Sequence, residues 1–283
     1  MTTDIYDARA CQLGEGPLWH PERQQLFWFD ILGKRLMSRD GDTALAWEFD
    51  EYVSAAGWID RDTLMIASQS ALLRFDIPSG DHEVILPLEA DNGLTRSNDG
   101  RADPAGGFWI GTMGIEAEPG AGAIYRYYRG ALEVLFPEIS ISNSICFAPD
   151  GRHAYYADTP TRQIMVQALD REGWPAGKPE VFVDLRDEGL NPDGSVVDSA
   201  GGLWNAQWGA GRVARYDSDG RFDRAIAIPG RQTTCPAFGG ANFEKMFVTS
   251  AAEGLSSPED HQGTTFETRP GIAGQAESRV ILG

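Results

Sequence analysis

Polar side chains that could bind a metal ion occur in short, turn-like motifs along the chain. Glu15 lies in Gly-Glu-Gly-Pro, Asn98 and Asp99 in Ser-Asn-Asp-Gly, Asn143 in Ser-Asn-Ser, and Asp193 in Pro-Asp-Gly. If these residues meet, Glu15 and Asp193 offer carboxylates and the two asparagines offer amides, with no histidine or thiolate. Such an all-oxygen set favours a hard cation such as Ca²⁺, Mg²⁺ or Mn²⁺, and is less natural for Zn²⁺.

A cation in such a site would supply hydrolytic chemistry without a histidine. A metal ion with open coordination positions polarises a carbonyl group and lowers the pKa of bound water. The chain has four histidines, of which three lie in the turns and strands of a sequence repeat and His261 lies in a long loop near the C-terminus. The sequence contains no G-x-S-x-G, His-Glu-x-x-His or P-loop motif. These residues therefore indicate metal-assisted hydrolysis of an activated ester.

The elements that must position these residues form a repeat. Six times along the chain, a turn that is often rich in Asp, Pro or Gly precedes a short aromatic or β-branched strand. These strands cover residues 26–29, 64–66, 108–110, 153–156, 203–204 and 246–248. Their spacing of roughly 40 to 50 residues is typical of a four-stranded propeller blade. We therefore predict an all-β fold, a six-bladed β-propeller of four-stranded antiparallel blades that forms a single domain over residues 1–283.

The propeller architecture makes further predictions about the site and the ring. The polar residues occur just before the inner strand of each repeat, and inner strands line the central channel, so the residues should converge on its axis. Residues 5–8 and 278–282 are the segments expected to pair and close the ring. Longer loops at 116–121, 186–192 and 254–274 are expected near the functional end. Trp19, Trp109 and Trp204 are expected in the core.

The composition excludes several classes of partner. The formal net charge is −18, from 42 acidic and 24 basic residues spread along the chain, so nucleic acid and anionic membranes are not expected partners. Residues 1–10 lack an apolar run and no segment could span a bilayer, which predicts a cytoplasmic protein. The three cysteines have no paired spacing, which argues against a disulfide framework. The sequence carries no signal for an oligomeric state.

The motifs, taken in order, resemble those of the senescence marker protein (regucalcin) and gluconolactonase family of six-bladed propeller lactonases. The similarity runs from about residue 13 to residue 250. It rests on Gly-Glu-Gly-Pro-Leu-Trp at 14–19, Arg-Ser-Asn-Asp-Gly at 96–100, Asp-Pro-Ala-Gly-Gly at 103–107, Gly-Thr-Met at 111–113, Ile-Ser-Asn at 141–143 and Pro-Asp-Gly at 192–194. An ordered set of this kind is far more specific than any one motif.

The resemblance implies one divalent metal ion, with Ca²⁺ first and Zn²⁺, Mn²⁺ or Mg²⁺ as alternatives. Its implied ligands are Glu15, Asn143 and Asp193, and Asp193 is also the implied general base. One departure is visible, because Ser144 stands where the family often has glycine after the asparagine ligand. This change affects the local backbone and leaves the ligand in place.

The resemblance also implies that Arg96, Asn98 and Glu116 bind the substrate. The predicted function is metal-dependent hydrolysis of a sugar (aldono-) lactone to its sugar acid in carbohydrate catabolism, with the small-molecule lactone as partner. Two alternatives stay open. One is a related propeller esterase or organophosphate hydrolase, and the other is a calcium-binding or protein-interaction propeller without catalysis.

Overall fold

The computed structural model describes residues 2–255 and 261–283, whose strands form six four-stranded antiparallel sheets. The innermost strands of successive sheets contact one another around a closed ring, and the last contacts the first. The predicted all-β, six-bladed propeller is therefore confirmed. Helical structure in the described ranges is limited to one 3₁₀ turn, Thr159–Thr161. None of the described segments forms a helix long and apolar enough to cross a membrane.

The strands of each blade follow one another in chain order from the channel outwards, except that the first strand of the chain, β1 (Thr3–Asp7), belongs to the last blade. Blade 1 contains β2 (Gly14–His20), β3 (Gln25–Asp30), β4 (Arg35–Asp40) and β5 (Thr43–Glu48). Blade 2 contains β6 (Val53–Asp60), β7 (Thr63–Ser68), β8 (Ala71–Asp76) and β9 (His82–Pro87). Blade 3 contains β10 (Thr95–Ala102), β11 (Phe108–Gly114), β12 (Gly122–Tyr128) and β13 (Ala131–Ile139).

The second half of the ring has the same order. Blade 4 contains β14 (Ser142–Phe147), β15 (His153–Asp158), β16 (Gln163–Ala168) and β17 (Glu180–Asp184). Blade 5 contains β18 (Asn191–Val197), β19 (Leu203–Trp208), β20 (Arg212–Tyr216) and β21 (Phe222–Ala227). Blade 6 contains β22 (Gln232–Gly239), β23 (Lys245–Ala251), β24 (Thr265–Thr268) and finally β1.

The ring is closed by β1, which forms the outer edge of blade 6. It pairs antiparallel with β24, so that Ile5 lies opposite Phe266. The predicted pairing of residues 5–8 with 278–282 is therefore wrong in its C-terminal partner. The true partner lies inside the segment predicted to be a loop, 254–274, and its four residues are too few to show a strand alternation. Residues 278–282 instead cross the far end of the channel, where Val280 donates a backbone hydrogen bond to Trp58.

The polar residues lie within the inner strands of the blades and not just before them. The aromatic strands found in the sequence are the second strands of the blades, so the prediction that the polar residues come just before the inner strands is also wrong. Each of the four strands concerned contains a bulge. The strand register shifts between Glu15 and Leu18, Ser97 and Gly100, Asn143 and Cys146, and Pro192 and Ser195. A bulge changes the direction in which a side chain points. The residues that form these bulges resemble turn residues in the sequence.

The core lies between neighbouring blades, and the second strands supply most of its largest fully buried side chains. Trp109 and Trp204 are fully buried and Trp19 is 7% exposed, which confirms all three predicted core positions. The three cysteines are free and buried. The site-bearing strands therefore rest on a rigid, closely packed frame.

The recurrent aspartate turns are structural. The Asp103 carboxylate accepts the backbone N–H of Gly107 at 3.0 Å and binds the Arg126 guanidinium at 2.7 Å, with both side chains fully buried. Asp198 repeats this arrangement in blade 5 with Arg215, at 2.8 Å. Asp103 and Asp198 directly follow the inner strands β10 and β18, so they lie at the opposite end of the channel from the polar residues near the starts of those strands. They are therefore separate from the residues that could carry chemistry.

Candidate metal and substrate site

A cavity of about 500 Å³ opens at the end of the channel where the inner strands begin. Its lining includes all six residues predicted from the sequence to bind metal or substrate. They are Glu15 of blade 1, Arg96, Asn98 and Glu116 of blade 3, Asn143 of blade 4 and Asp193 of blade 5. The fold thus brings four separate blades to one cavity. None of the four histidines, all of which lie in the described ranges, lines it.

Two buried carboxyl groups face each other on the cavity floor. Glu15 and Asp193 are each 5% exposed and lie within hydrogen-bonding range of one another. Glu15 also accepts the N–H of Gly16 at 2.8 Å, and Asp193 that of Gly194 at 3.1 Å. Burial, and next the charge of Asp99, raise the pKa of Glu15 to about 8, while burial and then Glu15 raise that of Asp193 well above its usual value. Two acidic groups so placed favour a cation between them.

A chain of hydrogen bonds fixes the amide of Asn143. The carbonyl of Pro192 can only accept, so the Thr159 hydroxyl donates to it at 2.8 Å. That hydroxyl oxygen therefore accepts from the Asn143 amide nitrogen at 2.9 Å. The amide oxygen Oδ1 is left as an acceptor, with Asn98 Nδ2 3.4 Å away. Asn143 thus presents the atom that a hard cation prefers.

The donor set fits a hard divalent cation. The described part of the chain contains no group of three or more His, Cys, Asp or Glu side chains arranged to hold a metal ion. Asn143 lines the same cavity, so its amide oxygen is available as a third protein donor beside Glu15 and Asp193. Carboxylate and amide oxygens together suit Ca²⁺, Mg²⁺ or Mn²⁺, and the set lacks the nitrogen and sulfur ligands typical of zinc.

The residues directly after Glu15 and Asn143 have a left-handed backbone conformation. Gly16 has φ 53°, and a Cβ atom there would lie 2.2 Å from the carbonyl oxygen of Ser54 in the next blade. Ser144 has φ 61°, which explains why glycine suits this position. Its hydroxyl donates to the carbonyl oxygen of Asp193 at 2.5 Å. This hydrogen bond offsets the backbone strain at Ser144. It also links blade 4 to blade 5 next to Asn143 and Asp193.

The predicted substrate residues differ in their surroundings. Arg96 Nη1 donates to Asn98 Oδ1 at 2.7 Å and to the Ser97 carbonyl at 3.0 Å. Asn98 Nδ2 in turn donates to the Ser142 carbonyl at 2.8 Å. Arg96 and Asn98 are both buried, whereas Glu116 lies exposed in the loop after β11. The wall of blade 3 is therefore rigid at its base and open at its rim.

Four polar or aromatic residues of the lining were not identified from the sequence. They are Thr159, Trp208, Gln232 and Glu253. Thr159 directly follows β15 and Gln232 begins β22, the inner strand of blade 6. The position of Gln232 at the start of an inner strand is the signal that could have revealed it. Trp208 is the last residue of a second strand, and Thr159 and Glu253 follow second strands, where no motif marks them.

The chain is similar in sequence and in fold to several known proteins. The sequence model of the SMP-30/Gluconolactonase/LRE-like region matches residues 13–252. An L-arabinolactonase of Azospirillum brasilense is 37% identical, over 94% of this chain and 91% of its own. A pentonolactonase of Haloferax volcanii is 33% identical, over 99% and 98%. The crystal structure of a calcium-binding protein, regucalcin, from Agrobacterium tumefaciens superposes with a TM-score of 0.95 at 40% identity, covering 99% of this chain and 98% of that one.

Proposed function

The chain belongs to the SMP-30/gluconolactonase/LRE-like family, and from this premise we propose that it is a lactonase that hydrolyses a sugar lactone to the sugar acid with the help of one divalent cation. Relatives across nearly the whole chain are named for sugar-lactone hydrolysis, which supports the reaction class. The single observation that carries the finer proposal is the meeting of Glu15, Asn143 and Asp193 in a cavity also lined by Arg96 and Asn98.

Glu15, Asn143 and Asp193 would hold the cation, and Ca²⁺ is our first choice. A bound divalent cation supplies Lewis acidity toward the lactone carbonyl and toward water. Asp193 is the proposed general base, and it can accept a proton only in its ionised form, which a neighbouring positive charge favours. The hydrogen bond from Gly194 to Asp193 Oδ1 at 3.1 Å orients the carboxylate for this role.

Arg96, Asn98 and Glu116 are the proposed substrate-binding groups. Arg96 is held by Asn98 and by the backbone, so its guanidinium is oriented before a ligand enters. Glu116 at the rim can accept hydrogen bonds from ring hydroxyls. The cavity of about 500 Å³ accommodates a single sugar ring. The assignment of residues 1–283 to one domain, and of the protein to the cytoplasm, stay predictions.

The test is a pH-indicator assay on chelated protein. Ca²⁺, Mg²⁺, Mn²⁺ and Zn²⁺ are added back in turn over a panel of aldonolactones, with an aryl ester and an organophosphate triester as comparison substrates. Spontaneous lactone opening is subtracted. We expect negligible activity after chelation, recovery with Ca²⁺, and a preference for the lactones.

Asp193→Asn should lower kcat/KM by about a thousandfold, the usual worth of a general base. Asp150→Asn, the same change on an exposed turn, is the matched control and should leave kcat/KM unchanged. Full activity in chelator would overturn the metal proposal alone. Faster turnover of aryl esters or phosphotriesters than of every lactone would overturn the substrate proposal.

A further inference from the structure

The far end of the channel is closed by residues 274–282, which we call the C-terminal segment. This segment has no strand of its own and crosses the ends of four blades. Its contacts are a bridge from Gly274 to Asp198, a hydrogen bond of 2.8 Å from Gln275 to the Phe147 carbonyl, and backbone hydrogen bonds of 2.9 Å from Val280 to Trp58 and from Ile281 to Gly106. Val280 is fully buried. The segment is therefore part of the packed structure.

Arg101 lies between the cavity floor and the C-terminal segment. It belongs to β10, the same inner strand as Arg96 and Asn98, and its side chain reaches across the channel. Its Nε atom donates to the carbonyl of Ile145 at 3.3 Å and its Nη2 atom to that of Ser195 at 3.4 Å. Those carbonyls lie two residues beyond the donors Asn143 and Asp193 on their strands. The Arg101 guanidinium thus contacts the two inner strands that carry these proposed cation ligands.

Glu277 of the C-terminal segment is the partner of this charge. It forms an ion pair with Arg101 in which both side chains are at most 10% exposed. The cavity between the segment and Arg101 measures only about 20 Å³, room for about one water molecule. On the other side of Arg101 lies Asp99, whose pKa burial raises to about 6 while the charge of Arg101 lowers it. Charges therefore alternate along the axis, from the carboxyls of the site through Arg101 to Glu277.

We propose that Glu277 acts through Arg101 to set the cation affinity of the site. Paired with Glu277, Arg101 contributes little net charge. Without that partner, its positive charge would oppose a cation held by Glu15 and Asp193, because charges interact strongly in a poorly solvated channel. This inference rests on the proposed cation site, and it gives the C-terminal segment a role beyond covering the channel.

The test is calorimetric titration of chelated protein with Ca²⁺. Glu277→Gln removes the negative charge and keeps the shape of the side chain. It should raise the Kd for Ca²⁺ by about tenfold, because the positive charge of Arg101 then repels the cation through a poorly solvated channel. The double variant Arg101→Gln/Glu277→Gln removes both charges and should return the Kd to within about threefold of wild type. A purely structural role for Glu277 would not give this recovery, since the double variant loses more contacts than the single one.

Val280→Ala is the matched control, because it weakens the packing of the C-terminal segment without changing charge. It should lower the urea midpoint and leave the Kd within twofold of wild type. An unchanged Kd in Glu277→Gln, no recovery in the double variant, or equal weakening in Val280→Ala would each overturn the inference. If the single variant fails to fold, the double variant still tests the inference, because a Kd more than about threefold above that of wild type would overturn it. A wild-type protein that binds Ca²⁺ and hydrolyses no lactone would refute the proposed activity and leave this test intact.

Discussion

Replacing Glu15 with glutamine should stabilise the cation-free protein while it removes a donor from the site. Glu15 and Asp193 are buried and face each other. Without a cation, the unfavourable burial of two neighbouring carboxylates is relieved when one of them takes up a proton. Glutamine keeps the shape of the glutamic acid side chain and carries no charge at any pH. The same change should therefore have opposite effects on stability and on cation binding.

The magnitude follows from the pKa of Glu15, which burial, and next the charge of Asp99, raise from 4.5 to about 8. Because the folded-state value lies above the unfolded value, the native state keeps a proton that the unfolded chain releases. The stability contributed by this proton is full below pH 4.5 and is lost as the pH rises toward 8. Between pH 4.5 and 7 this loss amounts to about 3 kcal/mol, and the glutamine variant avoids it.

The assay is urea unfolding of chelated protein at pH 5 and pH 7. At pH 7 we expect Glu15→Gln to be more stable than wild type by about 3 kcal/mol, equivalent to roughly 5 to 10 °C in Tm. The difference should shrink at pH 5. Ca²⁺ at a hundredfold excess over Kd should largely close this gap, because wild type then gains about 3 kcal/mol and the variant gains less. Glu116→Gln, the same change at an exposed position of the same cavity, should leave the free energy of unfolding unchanged at both pH values. A variant no more stable than wild type at pH 7, or a gain independent of pH, would refute the reasoning.

Three further substitutions test the backbone and the frame. Gly16→Ala should destabilise the protein by about 3 kcal/mol in urea unfolding, because its Cβ would meet a backbone oxygen of the next blade. Ser144→Gly relieves the left-handed strain but loses the hydrogen bond to Asp193, so stability should change by less than about 1 kcal/mol while steady-state kcat/KM falls severalfold. Asp103→Asn leaves the buried Arg126 without its counter-ion and should cost about 3 to 5 kcal/mol in urea unfolding, with kcat per folded molecule unchanged.

The sequence predicted most of the ring because each blade repeats one local pattern. A turn that is often rich in Asp, Pro or Gly, followed by an aromatic or β-branched strand, recurs in every blade, and its chemistry is local, as the Asp103 turn shows. The shared axis of the inner strands also predicts that Glu15, Asn98, Asn143 and Asp193 meet, whereas Arg96 and Glu116 come from the family resemblance. The roles of those residues stay predictions.

What could not be predicted depends on long-range contacts. The strand β24 has only four residues and owes its conformation to β23 and β1 on either side. The residues of the C-terminal segment have no period, and Val280 is buried only because blades 2 and 3 leave a site for it. Thr159 orients Asn143 through a carbonyl of another blade, a relation between strands that no single motif can carry.

The closure of the ring by β1 has a consequence for biosynthesis. Ile5 leaves the ribosome before the rest of the ring, and its partner Phe266 follows about 260 residues later. At synthesis rates of about 5 to 20 residues per second, the strand waits roughly 15 to 50 s for its neighbour. During that time it is an unpaired edge, and the charges of Asp4 and Asp7 discourage it from adding to a foreign sheet. The nascent chain is therefore protected by the same short acidic strand that later completes the circle.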